Sequence, residues 1–324
     1  MNYNIDKIKT NVTWDMTQTV GTVEITVQIE KEKQEQEENR PGLYLTDAND
    51  DKMPVLCASL IDREGKEIDR IFPLPIEEEM QFCMCVEEPK LWNAEDPYCY
   101  QLILEIMEGE EYCQDRRVEP VAFWIWKITG GQTCMNNKVI SFRPTVLPDG
   151  INAPDDQKIF LQKMKKSFLN TLLVKPEEKS GQLVKMCLEY GIYLLEDGKD
   201  VDASWLRARM ERKKEEDINP DFHLQVVQTG VLIENKNTFV DAAEYELCCE
   251  IQDKSGKTIF ENQLCTEVPA GTSKYVDIPF ETPAEPGTYR YRVALCLKKD
   301  TPWAPKGYEI AFGETWISNL YERI

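Results

Sequence analysis

From Thr19 to Ile29 (TVGTVEITVQI) polar and apolar side chains alternate, the period of two that turns one face of a β-strand to a core and the other to water. The charged run Glu30 to Arg40 (EKEKQEQEENR), closed by Pro41-Gly42, has no apolar stripe to bury. It reads as a long solvated hairpin loop rather than a helix. Strand patterns resume at Val55–Asp62, Ile68–Phe72, Gln81–Val86, Tyr98–Met107 and Val118–Ile128, with a turn at Arg63-Glu64-Gly65-Lys66. Short strands separated by turn signals at this spacing predict an immunoglobulin-like sandwich.

The period then changes. Lys138–Phe142 (KVISF) reads as a short apolar strand, and Pro154 to Ser167 as an amphipathic helix with Ile159, Phe160 and Met164 on its apolar face. Leu169–Val174 is a strand, Pro176–Tyr190 a second helix with Gly191 at its C′ position, and Ile192–Leu195 another apolar strand. This β-α-β-α-β run predicts three parallel strands joined by two right-handed crossovers. Trp205–Asp217 is a charged helix or linker stopped by Pro220. Strands return at Phe222–Glu234, Tyr245–Gln252, Thr258–Glu267, Ser273–Ile278 and Gly287–Leu297, with a hairpin turn at Asp253-Lys254-Ser255-Gly256. The expected fold is mainly β: a sandwich over residues 1–135, a small three-stranded α/β unit with linker over 136–218, and a second sandwich over 219–324.

Composition narrows the class. The 324 residues suit two or three domains, and 42% hydrophobic content is enough to build cores. A net charge of −20, from 58 acidic and 38 basic residues, argues against nucleic acid and anionic membrane as partners. The start, Met1 to Lys7, lacks a basic segment followed by an apolar one, and no apolar run approaches the ~18–20 residues of a membrane span. A cytoplasmic location is therefore expected. The 11 cysteines show neither a disulfide framework nor Cys-x-x-Cys spacing. Cys83 and Cys85 share a strand face, whereas Cys248 and Cys249 point to opposite faces. All are expected to be small buried hydrophobes in a reducing compartment.

Specific motifs carry a resemblance. Glu88 to Tyr98 (EPKLWNAEDPY) resembles the "NPxLWsaExPyLY" turn of the large bacterial β-galactosidases of glycoside hydrolase family 2. Val121-Ala122-Phe123 falls at that family's "VGFR", and Asn136-Asn137-Lys138 at its "NGKP" turn. Gln157 to Asn170 resembles "DIxLMKxxNxNAVR", and Cys187 to Asp197 (CLEYGIYLLED) resembles "CDxYGLYVxDE". Val231 to Phe239 is similar to the "V.N+..F" strand of the sandwich after the barrel, and Trp303 to Ala311 (WAPKGYEIA) to its "WAxxGHExA". The resemblance implies a sandwich, the opening strands of a truncated TIM-like barrel, and a second sandwich.

The departures bear on activity. A (β/α)₈ barrel needs ~250 residues, but the barrel-like stretch here runs only over residues 138–197. Family catalysis uses two glutamates from later barrel strands, one as acid and one as nucleophile. No stretch of this sequence matches either motif, and the family's sugar-binding jelly roll has no counterpart. Leu173 stands where the family has the Arg of "NAVR", Lys175-Pro176-Glu177-Glu178 replaces "SHYP", and Arg143 to Pro148 replaces "GVNRHE". Gly198 to Asp202 replaces the magnesium-binding "E-T-H". Scaffold turns kept without site residues form the pattern of a pseudo-enzyme, so neither catalytic residues nor a cofactor are expected.

Remaining candidates are few. Glu196, Asp197, Asp200 and Asp202 follow a parallel strand, where open α/β sheets bind ligands, and could hold a hard cation or form a solvated acidic loop. His223, the one histidine, opens a strand and reads as structural. Trp124 and Trp126 alternate with Phe123 and Ile125 and could stack on a sugar or pack against neighbouring structure. Gly130-Gly131 is a hairpin turn, since no helix with Lys-Ser/Thr follows it. Three readings stay open: a non-catalytic protein binding a carbohydrate or a protein, an accessory subunit completing a split β-galactosidase, or a hydrolase using relocated carboxylates among Glu177, Glu178, Glu196 and Asp197. The edges of a three-stranded parallel sheet need cover, from the sandwiches or from a second copy in a homodimer.

Overall fold

The computed structural model describes residues 2–31, 53–109, 112–196, 221–281 and 283–319. The expected charged loop and the expected helix at Trp205–Asp217 fall largely or wholly outside them. Two compact units are resolved: Met1–Trp92 with Tyr98–Ile125, and Asn93–Pro97 with Trp126–Ile324. The structure is mainly β with two α-helices among the described residues.

The first unit contains β1 (Tyr3–Trp14), β2 (Val20–Lys31), β3 (Val55–Ile61), β4 (Glu67–Pro75), β5 (Glu79–Glu87), β6 (Tyr100–Glu108) and β7 (Tyr112–Val121). They form an antiparallel sheet β1-β2-β5 and another, β4-β3-β6-β7. The alternation read in β2 buries Val23, Ile25 and Val27, which share one core with Leu60, Met84 and Leu102. Strand β1 belongs to the sheet although its sequence carries only a weak alternating pattern, with just Ile5 fully buried. Register with β2 along its length stabilises it instead.

The expected strand Val118–Ile128 is corrected. Pairing with β6 ends at Val121, and Phe123 instead bridges Leu91 while its carbonyl accepts the Trp92 N–H at 2.7 Å. Phe123 is fully buried, and a Cβ on Gly21 would stand 2.4 Å from its ring. Alternation continues past Val121, but the buried ring of Phe123 packs where the ladder with β6 has ended.

In the second unit β8 (Trp126–Thr129), β9 (Gln132–Met135) and β10 (Lys138–Val139) form a small antiparallel sheet. Gly130 and Gly131 join the first pair with φ of 58° and 78°, and Asn136 and Asn137 the second with 52° and 64°. Both loops have the positive φ values of type I′ hairpins, so both turns occur where the sequence places them. The expected parallel strand at Lys138–Phe142 is corrected: Lys138 and Val139 pair antiparallel with β9. The first parallel strand is β11 (Pro144–Val146), followed by β12 (Thr171–Val174) and β13 (Tyr193–Glu196) in the order β11-β12-β13.

Helix α1 (Pro154–Lys166) starts on Pro154 with Asp155 and Asp156 in its first turn and lysines in its last, a charge order that favours the helix dipole. It buries Gln157, Leu161 and Met164, whereas Ile159 is exposed, correcting the expected face by one position. Helix α2 (Gly181–Tyr190) is shorter than expected: Pro176–Glu178 is a separate 3₁₀ turn, and the Ser180 hydroxyl accepts the Leu183 N–H to cap the helix. Gly191 ends it at φ 67°, as the sequence indicates. Leu172 and Val174 of β12 pack with Leu161, Leu183 and Met186 of the helices.

The second sandwich comprises β14 (Phe222–Val227), β15 (Gly230–Asn235), β16 (Tyr245–Gln252), β17 (Thr258–Leu264), β18 (Ser273–Asp277), β19 (Gly287–Leu297) and β20 (Glu309–Asn319). The expected single strand Phe222–Glu234 is a hairpin, because Val227 pairs with Gly230 across a two-residue turn. Sheets β14-β15-β18 and β17-β16-β19-β20 repeat, strand for strand, the order of the first sandwich. The Asp253–Gly256 turn joins β16 to β17 with Gly256 at φ 84°.

The cysteine expectation is corrected in part. Cys187, Cys249 and Cys296 are buried, but Cys83, Cys85, Cys113 and Cys265 are exposed. Cys83 and Cys85 do share one face of β5, and it is the outer one, because Met84 and Val86 take the core. None of the 11 cysteines is in a disulfide.

Candidate functional site

The carboxyl ends of β11, β12 and β13 mark the end of a parallel sheet where α/β proteins usually place ligands. Lys175, just past β12, donates to Asp149 at 3.4 Å and pairs with Glu178 at 3.5 Å. Its pKa is raised, first by the Asp149 contact. Glu178 also accepts the Lys175 backbone N–H at 2.8 Å, closing the 3₁₀ turn on itself. Glu196, at the end of β13, accepts from Lys179 Nζ at 3.0 Å and is 13% exposed. Leu173 is buried within β12, and Glu177 lies in the exposed part of the turn. Asp149, Glu178 and Glu196 are thus tied to lysines by short local contacts. Asp197, Asp200 and Asp202 lie outside the described residues, and no metal-ligating cluster of three or more groups occurs among the described ones.

The aromatic candidates follow the alternation read in the sequence. Phe123 and Ile125 are buried, while Trp124 and Trp126 are 38% and 40% exposed. In the first unit Trp124 lies 5.8 Å from Trp92, ring to ring. In the second, Trp126 stacks on Phe142 at 6.1 Å, and Phe142 meets Tyr193 edge-on at 5.7 Å. Each indole therefore has a packing partner and an open surface. His223 sits on β14 opposite Glu234, with its side chain exposed.

Sequence reasoning did not locate one cavity that the structure forms. It lies inside the second unit, at the amino-terminal ends of the parallel strands, with a volume of about 160 Å³. Arg143 precedes β11, Asn170 precedes β12 and Tyr193 opens β13, and all three line it. Asn170 ties the strand starts together: its Oδ1 accepts the Arg143 N–H at 2.7 Å, its Nδ2 donates to Ser141 at 3.0 Å, and its carbonyl accepts the Tyr193 N–H at 2.8 Å.

Two carboxylates enter the cavity wall already engaged. Asp221 receives both terminal nitrogens of Arg143, a bidentate pair whose Nη2 contact is 3.0 Å. Glu95 accepts three successive backbone N–H groups, from Thr238 at 2.8 Å, Phe239 at 2.6 Å and Val240 at 3.2 Å. Such a run of amides is a ready anion nest. The nest forms because Asn235 is buried below it, donating to the Val240 and Val268 carbonyls and accepting from the Asn237 N–H.

The cations are less fully occupied. Lys165, in the last turn of α1, donates to the carbonyls of Ala94 at 2.9 Å and Gly191 at 3.3 Å. Part of its stem remains at the surface, but desolvation of the enclosed ammonium lowers its pKa to about 8, with Asp221 opposing the shift and Arg143 adding to it. Burial likewise pushes the Tyr193 and Tyr245 phenols up. Arg143 Nε is buried without a hydrogen-bond partner, the one such side-chain atom among the described residues.

Known proteins match the chain in two blocks. Residues 4–123 match the profile "Glycosyl hydrolases family 2", and residues 231–318 match "Beta-galactosidase, domain 4". A β-galactosidase of Clostridium acetobutylicum is 36% identical over 94 residues, covering 29% of this chain and 10% of that protein. One from Halalkalibacterium halodurans is 23% identical over 168 residues, covering 48% of this chain and 16% of its own length. This chain thus spans less than a fifth of each of these relatives. A β-glucuronidase structure from Parabacteroides merdae aligns with a TM-score of 0.48 and 14% identity, over 60% of this chain and 24% of that one. Residues 4–123 and 231–318 are thus similar to parts of family 2 β-galactosidases, as the motifs at Glu88–Tyr98 and Val231–Phe239 imply.

Proposed function

We propose that this β-galactosidase-like chain does not hydrolyse glycosides by itself and acts as a scaffold that binds a carbohydrate or another protein. The observation that carries the reading is the link between β13 and β14. Glu196 ends the third parallel strand and Phe222 opens the second sandwich, so only residues 197–221 separate them. A closed barrel requires ~250 residues, and its later strands would hold the acid and the nucleophile. The lysine pairing of Glu178 and Glu196 supports the same reading, since a carboxylate neutralised by an ammonium is poorly suited to protonate a leaving group. Exposed Trp124 and Trp126 are the surfaces offered to a sugar ring.

Purified chain should not turn over nitrophenyl β-galactoside. Turnover that disappears in Glu196→Gln would replace this reading with that of a hydrolase using relocated carboxylates. Glycan-array or pull-down binding without hydrolysis would support the scaffold, and loss of glycan binding in Trp124→Ala or Trp126→Ala would place the contact.

One observation favours a second reading, an accessory subunit of a split β-galactosidase. Strands β11 and β13 are the two outer strands of the parallel sheet as described, in the order β11-β12-β13. Parallel edges are normally covered. Co-purification with a chain bearing further barrel strands, and activity only in the mixture, would establish this reading; a homodimer by light scattering would assign the cover to a second copy.

A further inference from the structure

We propose that the outer face of the sheet β17-β16-β19-β20 is a docking surface for a short, basic peptide segment of a protein partner. The proposal goes beyond the reading above, whose surfaces are Trp124 and Trp126, and holds whether or not the chain hydrolyses glycosides.

Strand register builds the face. Leu247, Cys249 and Ile251 of β16, Tyr291 and Val293 of β19 and Ala311 of β20 point into the core, so the residues alternating with them point outward. Gln252–Arg290–Trp316, Glu250–Arg292–Glu314 and Cys248–Ala294–Phe312 therefore form three rows across β16, β19 and β20. Glu261 of β17 extends the middle row beside Glu250. A fourth row, Glu246–Cys296–Glu309, follows a register shift in β19.

Two aromatic rings stand uncovered on this face. Phe312 and Trp316, on the outer strand β20, are 56% and 55% exposed. Unlike Trp124 and Trp126, Trp316 has no ring partner among the described residues. Four residues at ~3.3 Å place the two rings ~13 Å apart, the span of about four residues of an extended peptide. The Arg292 guanidinium already lies 4.5 Å from the Phe312 centroid, so this surface accepts a cation on an aromatic ring.

Charge names the occupant. Arg292 is shared by Glu309 at 2.6 Å, Glu250 at 3.7 Å and Glu314 at 3.8 Å, and Arg290 meets Glu314 at 3.5 Å. With both arginines paired in this way, Glu246 and Glu261 still have no ion pair among the described residues. Glu250 and Glu261 stand directly opposite each other, a like-charge pair that destabilises a sheet. A segment bearing arginine or lysine relieves that repulsion and sets a further cation over Trp316. A second copy of the chain, with its net charge of −20, would be repelled.

Fluorescence anisotropy of labelled octa-arginine, octa-lysine and octa-glutamate peptides, titrated with the full chain at about 0.15 M salt, tests the face. Octa-arginine should bind saturably and more tightly than octa-lysine, because guanidinium stacks better on an aromatic ring. Octa-glutamate should not bind. Trp316→Ala should weaken octa-arginine binding ~3–10-fold, and Glu246→Gln/Glu261→Gln ~2–5-fold. Glu77→Gln/Glu78→Gln removes the same charge from exposed positions of the first unit and should leave the affinity within ~1.5-fold. Circular dichroism confirms that each variant is folded. Equal losses in the two double variants would assign binding to general acidity and overturn the proposal. So would full binding in Trp316→Ala, or no saturable binding of octa-arginine. Binding of a neutral galacto-oligosaccharide that Trp316→Ala abolishes, with octa-arginine unbound, would give the face to a sugar instead.

Discussion

Glu95 Oε2 accepts the backbone N–H of Phe239 at 2.6 Å, across 144 residues of sequence. With the flanking Thr238 and Val240 contacts it anchors the Asn93–Pro97 turn to the β15–β16 connection of the second sandwich, inside one compact unit. The Glu in the "LWNAEDPY" motif is thus a structural carboxylate, and its partner segment is the turn after the motif Asn235.

Removing that carboxylate should be costly. Glu95→Ala strands three N–H groups and is expected to lower stability by about 3 kcal/mol, with Glu95→Gln recovering part of it through one remaining oxygen. Urea denaturation measures the loss, and faster amide exchange at Thr238, Phe239 and Val240 locates it. Unchanged exchange there would show that the nest closes without the carboxylate.

Lys165 gives a pH dependence. Its pKa falls to about 8 in the folded chain, below the ~10.4 of a free lysine, so the unfolded chain holds more protons between those values. Stability should therefore rise with pH from about 8 toward 10, by up to about 3 kcal/mol from this group, and the penalty should be full below pH 8. Raised Tyr193 and Tyr245 pKa values contribute in the other direction only above pH ~10. Denaturation midpoints at pH 7.5, 8.5 and 9.5 for wild type and Lys165→Met isolate the effect. The variant should lose the rise.

Gly191 combines two constraints. Its φ is 67°, and a Cβ would lie 2.5 Å from the Ala94 carbonyl oxygen, the same oxygen that accepts from Lys165. Left-handed backbone alone costs an alanine ~1–2 kcal/mol, and the contact adds to it. Gly191→Ala should cost more than 2 kcal/mol by chemical denaturation, whereas Gly256→Ala, equally left-handed but with open space around it, should cost only the backbone share.

Thiol chemistry checks the corrected cysteine assignment. Cys83, Cys85, Cys113 and Cys265 should react with an aromatic disulfide reagent in the native state. Cys187, Cys249 and Cys296 are buried, and desolvation pushes their thiols up to about 12, so they should react only on unfolding. Native labelling of Cys187 would contradict the packing of α2.

Much of this protein is determined by local pattern. Period-two alternation marks β2 and β16, the Asp253–Gly256 and Gly130-Gly131 turns follow from residues that accept positive φ, and Gly191 ends α2 because it has no Cβ. Such features depend on a few neighbouring residues, so the sequence alone suffices. The motifs Glu88–Tyr98 and Val231–Phe239 likewise point to the family 2 relationship. Tertiary structure decided the rest. Whether Lys138–Val139 or Pro144–Val146 joins the parallel sheet depends on which backbone groups find a distant partner, and both segments are too short for a period to choose. Only the folded chain brings Arg143, Asn170, Tyr193 and Asp221 around one cavity, since these residues are separated by loops and strands that no local spacing relates. The identical strand order of the two sandwiches was equally hidden, because hydrogen-bonded neighbours in a sheet are set by long-range pairing rather than by composition.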